Sequence, residues 1–527
     1  MPPPARSKSN RHEAHASGPD QPGSVPPPPP ASPSAAPPPP AAGPPPRLSP
    51  ADVRVIFIGL MLTSFLAALN QTIVAPALPT LGRHFNDFQN LSWIVTAYLL
   101  TSTAVAPLYG KLSDIHGRRA MMLTAIGIFI AGSAACAAAP NMTMLILGRG
   151  LQGLGGGGIL PLAQAIMADT ITPRERGRFQ AYMGTVWITS GVGGPILGGF
   201  VAEHFDWSMI FWLNVPVGLA AAFMTHRNLK RLPRHERKHK LDLLGAGLMM
   251  AAAVALLLAL TWGGTRFPWL SWEILGLIAL SGAISLLFAW RLTMAREPFL
   301  PLAVLKNPIM RTATVATSMA MAVSIGLTIM LPLYFEVAHG MTATGSGLAL
   351  IPLALTTPGS IMSGQVMTRG RGYKWVPVVG LSLATTALIF LTIQPDVSLI
   401  WVMVLTSIVG TGIGTVYPVA TVAIQNAVSR YQVGVAMGAM NFFRALTSAF
   451  GVAVMGAVVL AGYGVTPQRA SVLTPAAPAS GLELGFTFRW VFAVNALFLA
   501  IGIVAILLME ERPLRGPGDP VAIPPAE

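Results

Sequence analysis

The chain has 527 residues, of which 53% are apolar and only 10% are charged. Soluble domains carry about 25% charged residues, so this composition excludes an ordinary soluble protein and predicts an integral membrane protein. The 34 lysines and arginines exceed the 20 acids and give a formal net charge of +14. In a soluble protein this excess would suggest a nucleic-acid partner, but in a membrane protein the positive charges must first be assigned to loops.

The first 50 residues are rich in proline, as in PPPPPASPSAAPPPP. This stretch has too few large apolar side chains to form a core, and we predict a disordered cytoplasmic tail over 1–50. The single cysteine, Cys136, lies inside an apolar run, so no internal disulfide and no cysteine metal cluster can form. We predict no cofactor, no metal site and no catalytic constellation.

The apolar runs predict an all-α integral membrane fold, because a helix needs about 20 mostly apolar residues to cross a bilayer. About fourteen such runs are present along the chain. They occupy 53–76, 91–110, 120–139, 143–168, 179–201, 208–226, 242–261, 273–293, 312–336, 344–366, 375–394, 398–421, 435–460 and 489–509.

Alternate loops between these runs are basic, and this alternation predicts the orientation because lysine and arginine concentrate in cytoplasmic loops. Basic residues lie at 111–119, at 174–178 and in RNLKRLPRHERKHK at 227–240. Both termini are therefore predicted to lie in the cytoplasm, with the chain in the inner (plasma) membrane. This topology accounts for the positive balance, so we predict a lipid bilayer as the environment and no nucleic-acid partner.

The sequence contains an internal repeat. GLGGGGILPLAQAIMADTITPRERG at 153–177 matches GTGIGTVYPVATVAIQNAVSRYQVG at 410–434, an offset of 257 residues (410 − 153). Gly177 matches Gly434 at this offset. The two copies lie on predicted helices 4 and 12, which share an orientation. A parallel repeat of this kind relates the two six-helix halves of a major facilitator transporter, and copies eight helices apart imply an inserted pair.

The predicted layout is therefore two pseudo-symmetric six-helix bundles with an inserted pair, helices 7 and 8. The N-terminal bundle covers 51–227. The basic loop and the inserted helices cover 228–310, and the C-terminal bundle covers 311–510. A cytoplasmic tail follows over 511–527.

The stretch GKLSDIHGRR at 110–119 resembles the signature loop between helices 2 and 3 of the major facilitator superfamily. In that family, the loop latches the two halves in the outward-facing state. The glycines permit tight turns and close helix approach, and the aspartate can accept hydrogen bonds from an arginine or a helix N-terminus. The matching residues are Gly110, Leu112, Asp114, Gly117, Arg118 and Arg119. The counterpart at 364–374 has Thr368 in place of the aspartate, so we predict a weak second latch.

The stretch GVGGPILGG at 191–199 resembles the antiporter motif of the same superfamily. Proline removes a backbone donor and bends a helix, while glycines let a neighbouring helix pack closely. A generic glycine-packed helix is the alternative interpretation. The matching residues are Gly194, Pro195, Gly198 and Gly199. With DWSMIFWLNVPVG at 206–218, the resemblance extends to the fourteen-helix drug:proton antiporters and covers most of 51–510.

The stretch LNQTIVAPALP at 69–79 resembles the end of helix 1 in this family, with one departure. Asn70 stands where the family usually has aspartate. An asparagine side chain cannot release a proton near neutral pH, so the resemblance predicts that another group carries the coupling proton.

Four further residues are candidates for the proton or substrate path. Arg149 lies in a stretch similar to the helix 4 motif that the family links to proton transfer. Arg444 aligns with Trp187 across the repeat, and a structural role for Arg444 stays open. Glu336 lies near the outer end of helix 9, where it is either a proton carrier or a surface acid in water.

These resemblances imply a secondary exporter that couples proton entry to efflux of amphipathic, drug-like compounds, cationic ones among them. The implied partners are a small-molecule substrate, protons and the lipid bilayer, and a periplasmic adaptor protein is left open. One alternative is an exporter of a specific endogenous metabolite or lipid. Another is a membrane-embedded enzyme, which would need a histidine, aspartate or metal constellation that is not clustered in this sequence.

Overall fold

The computed structural model describes residues 50–87, 90–229, 242–295, 297–369, 372–462 and 481–514. The predictions for the proline-rich tail, most of the basic run at 227–240 and most of the C-terminal tail lie outside the described residues.

Long helices follow the predicted apolar runs in order. They are α1 (Pro50–Ile73), α2 (Leu91–His116), α3 (Arg118–Ala137), α4 (Met142–Thr170), α5 (Pro173–His204), α6 (Asn214–Asn228), α7 (Leu243–Trp262), α8 (Trp272–Met294), α9 (Pro308–His339), α10 (Thr357–Met367), α11 (Trp375–Ile393), α12 (Leu399–Ala427), α13 (Val433–Gly462) and α14 (Gly481–Leu508). Among the described residues, ten helical segments are long and apolar enough to cross a membrane on their own. No strand occurs within the described ranges. The chain is an all-α, multi-pass membrane protein.

The prediction of one continuous helix over 344–366 is wrong. A short helix covers Ala343–Leu348, turns follow it, and α10 begins only at Thr357. Pro352 and Pro358 lie in and just after the interruption, and each lacks the backbone N–H that a continuous helix uses. The apolar composition continues through the break, which is why hydropathy does not detect it.

Three other helix boundaries also differ from the prediction. α2 continues to His116, so Asp114 lies on a helix rather than in a loop. Gly117, with φ of +89°, makes the turn into α3 in a conformation that favours glycine. The run predicted over 208–226 divides into a short helix and α6, and α14 begins at Gly481 instead of 489.

The helices pack as two groups. In the first half, α4 packs against α2 and α3, and α1 packs against α5 and α6. In the second half, α9 packs against α12, α13 and α14, and α11 packs against α12 and α14. α7 and α8 pack against each other, and α7 contacts α2 and α13. The fold is thus two six-helix bundles with an inserted helix pair, while the exact domain boundaries stay a prediction.

The two halves meet through paired glycines near one end of the bundle. We call this end, which carries the α2–α3 and α4–α5 connections, the basic end. A Cβ atom on Gly110 of α2 would lie 2.8 Å from the carbonyl carbon of Gly434 on α13. A Cβ atom on Gly177 of α5 would lie 3.1 Å from the carbonyl oxygen of Gly364 on α10. Because Gly177 and Gly434 are repeat counterparts, the contact between the halves reproduces the repeat.

Candidate functional site

Asp114 connects the two halves at the basic end. Its Oδ2 atom accepts a hydrogen bond of 3.2 Å from the backbone N–H of Val435. α13 begins at Val433, so this donor belongs to the first turn, where N–H groups lack intrahelical partners and attract negative charge. We call the contact between Asp114 and Val435 the latch. It joins a side chain of the first half to the backbone of the second.

Arg118 supports the latch from the start of α3. Its Nη1 atom lies 2.5 Å from Oδ1 of Asp114, and its Nε donates to Oδ2 of Asp169 at 2.9 Å. These contacts tie the ends of α2, α3 and α4 together. Arg119 lies apart from this cluster, because its Nη2 pairs with the Nδ1 ring atom of His226 on α6 at 3.0 Å. The predicted latch residues Gly110, Asp114, Gly117 and Arg118 therefore come together without Arg119.

In the described structure, Thr368, at the predicted second latch position, does not form a contact like that of Asp114. The hydroxyl of Thr368 donates to the carbonyl oxygen of Gln365 in its own helix at 2.6 Å. Among the described residues, the structure gives Thr368 no hydrogen bond to the first half. The glycine contact beside it is also looser than the one between Gly110 and Gly434.

Two glycines of the predicted antiporter motif pack α5 against α1. A Cβ atom on Gly194 would lie 2.7 Å from Cβ of Thr72, and one on Gly198 would lie 3.0 Å from the carbonyl carbon of Ile73. The hydroxyl of Thr72 also donates to the carbonyl oxygen of Ser190 at 2.7 Å. The motif therefore fixes the approach of two helices within the first half.

The other two motif residues have different surroundings. Pro195 lies inside α5 with an exposed side chain. A Cβ atom on Gly199 would have no neighbour within 4 Å in the described structure. Close packing therefore explains Gly194 and Gly198, but it does not explain Gly199.

Arg149 is buried within the first half, with 1% of its surface exposed. Its Nε donates to the carbonyl oxygen of Ile94 at 2.9 Å, and its Nη1 donates to Oδ1 of Asn70 at 3.2 Å and to Oε1 of Gln152. The guanidinium carbon lies 4.5 Å from the ring centroid of Tyr98. In the described part of the chain, no carboxylate contacts this arginine. Neutral oxygens and an aromatic face therefore stabilise its charge.

Asn70 shares this site with Arg149 and is fully buried. Its Oδ1 also lies 3.4 Å from the amide nitrogen of Asn214, and Gln152 donates to the hydroxyl of Ser133 at 2.5 Å. Asn70 and Arg149 were predicted from the sequence, whereas Gln152, Ser133 and Asn214 were not. The signal that could have found them is an amide or hydroxyl inside an apolar run, since polar residues in spans usually face the protein interior.

Arg444 lies on α13, next to a contact between the two halves. Its Nη2 donates to Oδ1 of Asn441 at 2.6 Å, and the amide of Asn441 donates to Oε1 of Gln164 on α4 at 2.7 Å. The guanidinium carbon lies 6.0 Å from the ring centroid of Tyr417. Trp187, the repeat counterpart of Arg444, is half-buried on α5. Arg444 therefore forms a site that is distinct from that of Arg149.

Glu336 lies near the end of α9 that is opposite the basic end. Its side chain is exposed, and its Oε1 accepts a hydrogen bond of 3.1 Å from the hydroxyl of Ser346. The structure therefore places this acid at the surface of the helix bundle.

Two pseudo-symmetric membrane bundles, joined at one end by a polar contact, are the architecture of major facilitator transporters. The family profile described as Major Facilitator Superfamily matches residues 60–452. The chain belongs to this superfamily. It is therefore a transporter and not an enzyme.

Similar proteins include named drug transporters. The chain is 35% identical over 413 residues to the multidrug transporter protein MdtP of Bacillus subtilis (strain 168), covering 77% of this chain and 75% of MdtP. It is 30% identical over 409 residues to multidrug resistance protein 3 of the same organism, covering 77% of this chain and 80% of that protein. The crystal structure of the human organic anion transporter MFSD10 (TETRAN) matches with a TM-score of 0.61 at 17% identity, covering 86% of this chain and 100% of that chain. At this identity the likeness concerns the fold alone.

Proposed function

We propose that this chain is a secondary active exporter that uses a proton gradient to expel amphipathic, drug-like compounds by alternating access. Its similarity to multidrug transporters supports the substrate class. The latch carries the mechanism, because alternating access needs a contact between the halves that forms in one state and breaks in the other. A carboxylate bound to the first turn of a helix is such a contact, since a small movement of α13 removes its donor.

Other hydrogen bonds between the halves cluster on the same side as the latch. The amide of Gln425 donates to the carbonyl oxygen of Gln164 at 3.0 Å, and Nη1 of Arg176 donates to Oε1 of Gln425 at 3.2 Å. We assign the basic end to the cytoplasm, with both termini there and the chain in the inner (plasma) membrane. With that orientation, contacts concentrated at the basic end support an outward-facing state.

Transport in everted membrane vesicles tests this function. With an imposed pH gradient, acid inside, the vesicles should accumulate amphipathic dyes, and nigericin should abolish the accumulation by collapsing the gradient. A susceptibility panel in a pump-deficient host should show protection against several unrelated compounds. Uptake that requires ATP, or that persists after the gradient has collapsed, would contradict the proposal. Protection against a single compound would favour the alternative of a specific metabolite exporter.

Glu336→Gln should abolish the response to the pH gradient while leaving substrate binding close to wild type. We propose Glu336 as the proton carrier because Asn70 cannot titrate and Glu336 lies where a proton enters from outside. The measurement is dye uptake at several imposed gradients, together with dye binding to the purified protein. Glu203→Gln is the matched control, because Glu203 is also exposed, at the same end of the bundle. Full gradient-driven uptake by Glu336→Gln would leave Glu336 as a surface acid, and the proton path would then run through Asp169, Asp114 or the substrate itself.

Asn70→Asp should stabilise the protein and extend its range toward cationic compounds. The new carboxylate would replace a neutral oxygen that lies 3.2 Å from Nη1 of Arg149 and would supply the missing counter-charge. A charge-assisted hydrogen bond contributes about 1.5–3 kcal/mol. We therefore expect a higher Tm for the purified variant, followed by tryptophan fluorescence, and a lower Tm for Asn70→Ala. An unchanged or lower Tm for Asn70→Asp would contradict the proposed pairing.

A further inference from the structure

We infer that Arg444 binds the acidic group of anionic substrates, so that this transporter favours amphipathic carboxylates over cations. The inference rests on the proposed function, because it names the substrate class of the same exporter. It rests on three observations: the lack of a counter-charge at Arg444, the position of Arg444 at the interface of the halves, and the sign of the charges within the spans.

The charge of Arg444 is not balanced by a neighbouring acid. Within the described residues, its only hydrogen bond goes to the neutral oxygen of Asn441, and it forms no ion pair with an acid. A cation inside a membrane span is costly and usually pairs with an acid or faces a polar cavity. A ligand that carries a negative charge would supply the missing partner.

The position of Arg444 suits a ligand that binds between the halves. Arg444 lies three residues beyond Asn441 along α13, which places both side chains on one face of the helix, about one turn apart. That face meets the first half, because Asn441 donates to Gln164 of α4. Arg444 therefore lies just past the closed contact, on the side away from the basic end, and its side chain is partly exposed.

Away from both ends of the described spans, the charged side chains have one sign. Arg149 and Arg444 lie at interior positions of their helices, and neither contacts a carboxylate in the described parts of the chain. Asp114 and Asp169 lie at the basic end, where Arg118 forms an ion pair with each of them, and Glu336 lies near the opposite end. The interior of the bundle therefore carries a positive potential, which attracts anions and repels cations.

The chemistry of the guanidinium group fits a carboxylate. Its N–H donors form a planar fork that can bind both oxygens of a carboxylate. Asn441 takes one hydrogen bond from Nη2, and the remaining donors make no hydrogen bond within the described residues. The ring of Tyr417, 6.0 Å from the guanidinium carbon, provides an apolar surface for the body of an amphipathic substrate.

Three probes of different charge test the inference on purified full-length protein in detergent: pyrenebutyrate, its uncharged amide and tetraphenylphosphonium. We expect the wild type to bind pyrenebutyrate more tightly than the other two. Arg444→Gln should weaken pyrenebutyrate binding about tenfold or more, because a charge-assisted hydrogen bond is lost. Binding of the amide should change less than about twofold. Arg444→Lys keeps the charge but loses the planar fork of donors. Its affinity for pyrenebutyrate should therefore lie between those of the wild type and Arg444→Gln.

Arg266→Gln is the matched control. Arg266 lies in the connection between α7 and α8, with its guanidinium carbon 5.5 Å from the ring centroid of Trp262, and its loss should leave all three affinities unchanged. Equal weakening of the acid and the amide by Arg444→Gln would overturn the inference and indicate a structural role. So would a wild-type protein that binds tetraphenylphosphonium or the amide as tightly as pyrenebutyrate, a comparison that requires no variant.

The vesicle assay separates this inference from the proposed function. Selective binding of pyrenebutyrate through Arg444, without any response of uptake to the pH gradient, would contradict proton-driven export and support the anion site. Gradient-driven uptake of tetraphenylphosphonium and the amide, without uptake of pyrenebutyrate, would support export and overturn the anion site.

Discussion

Gly198→Leu should fold but lose most transport, whereas Gly199→Leu should transport at close to the wild-type rate. A Cβ atom at Gly198 would lie 3.0 Å from the carbonyl carbon of Ile73 and closer still to its oxygen. These are backbone atoms of α1, which cannot rotate away as a side chain can. Gly199 follows directly on α5 and has open space in the described structure. The same substitution can therefore be compared at two neighbouring glycines, one packed against a helix backbone and one facing open space.

The size of the effect should follow the size of the new side chain. Overpacking of a closely packed contact costs typically about 1–3 kcal/mol, so Gly198→Ala should show a smaller defect than Gly198→Leu. Dye uptake by vesicles measures the function, and the elution profile of the purified protein shows whether each variant folds. Equal losses at Gly198 and Gly199, or normal uptake by Gly198→Leu, would contradict close packing as the reason for the motif.

The helical part of the fold follows from the sequence because of a strong physical constraint. In lipid, every backbone N–H and C=O group must find its partner within the protein, so a long apolar run has to become a helix. The run at 344–366 satisfies the same apolar criterion and is nevertheless interrupted. Hydropathy measures transfer to lipid and carries no information about the missing N–H groups of Pro352 and Pro358.

The latch was only half predictable. Asp114 and Arg118 are close in sequence, and the resemblance of their stretch to the signature loop predicted that the aspartate accepts a hydrogen bond from an arginine or a helix N-terminus. The partner of Asp114, the N–H of Val435, lies 321 residues further along the chain. A backbone donor has no residue type that would mark it, so no sequence pattern identifies it. The repeat did relate Gly434 to Gly177, but it does not say which helix either glycine faces.

The surroundings of Arg149 were missed for a different reason. The candidates drawn from the sequence were charged or aromatic residues in the spans, and Asn70 was the one neutral amide among them. Gln152 lies three residues from Arg149 on α4, so it shares the same helix face, and this contact could have been predicted. Asn214 and Ser133 come from α6 and α3; their positions inside apolar runs mark them as interior-facing, but no local sequence pattern shows which residues they contact.

Asp114→Asn should leave expression intact and lower transport about tenfold or more. The substitution removes the negative charge that pairs with Arg118 and that the first turn of α13 attracts. The amide oxygen can still accept the hydrogen bond from Val435, so the helices keep their packing. Charge-assisted hydrogen bonds contribute about 1.5–3 kcal/mol, which corresponds to a change of tenfold or more in the balance between the two states.

The defect of Asp114→Asn should appear in turnover rather than in binding, because the latch acts on the equilibrium between states and lies at the end of the bundle. Initial rates of vesicle uptake measure turnover, and dye titration of the purified variant measures binding. Asp206→Asn removes an exposed acid in the connection after α5, at the opposite end of the bundle, and is the control for lost charge. If Asp114→Asn transports at the wild-type rate, or if its loss matches that of Asp206→Asn, the bond to Val435 does not control the closed state. The glycine contact between Gly110 and Gly434 would then have to hold the basic end closed without help from charge.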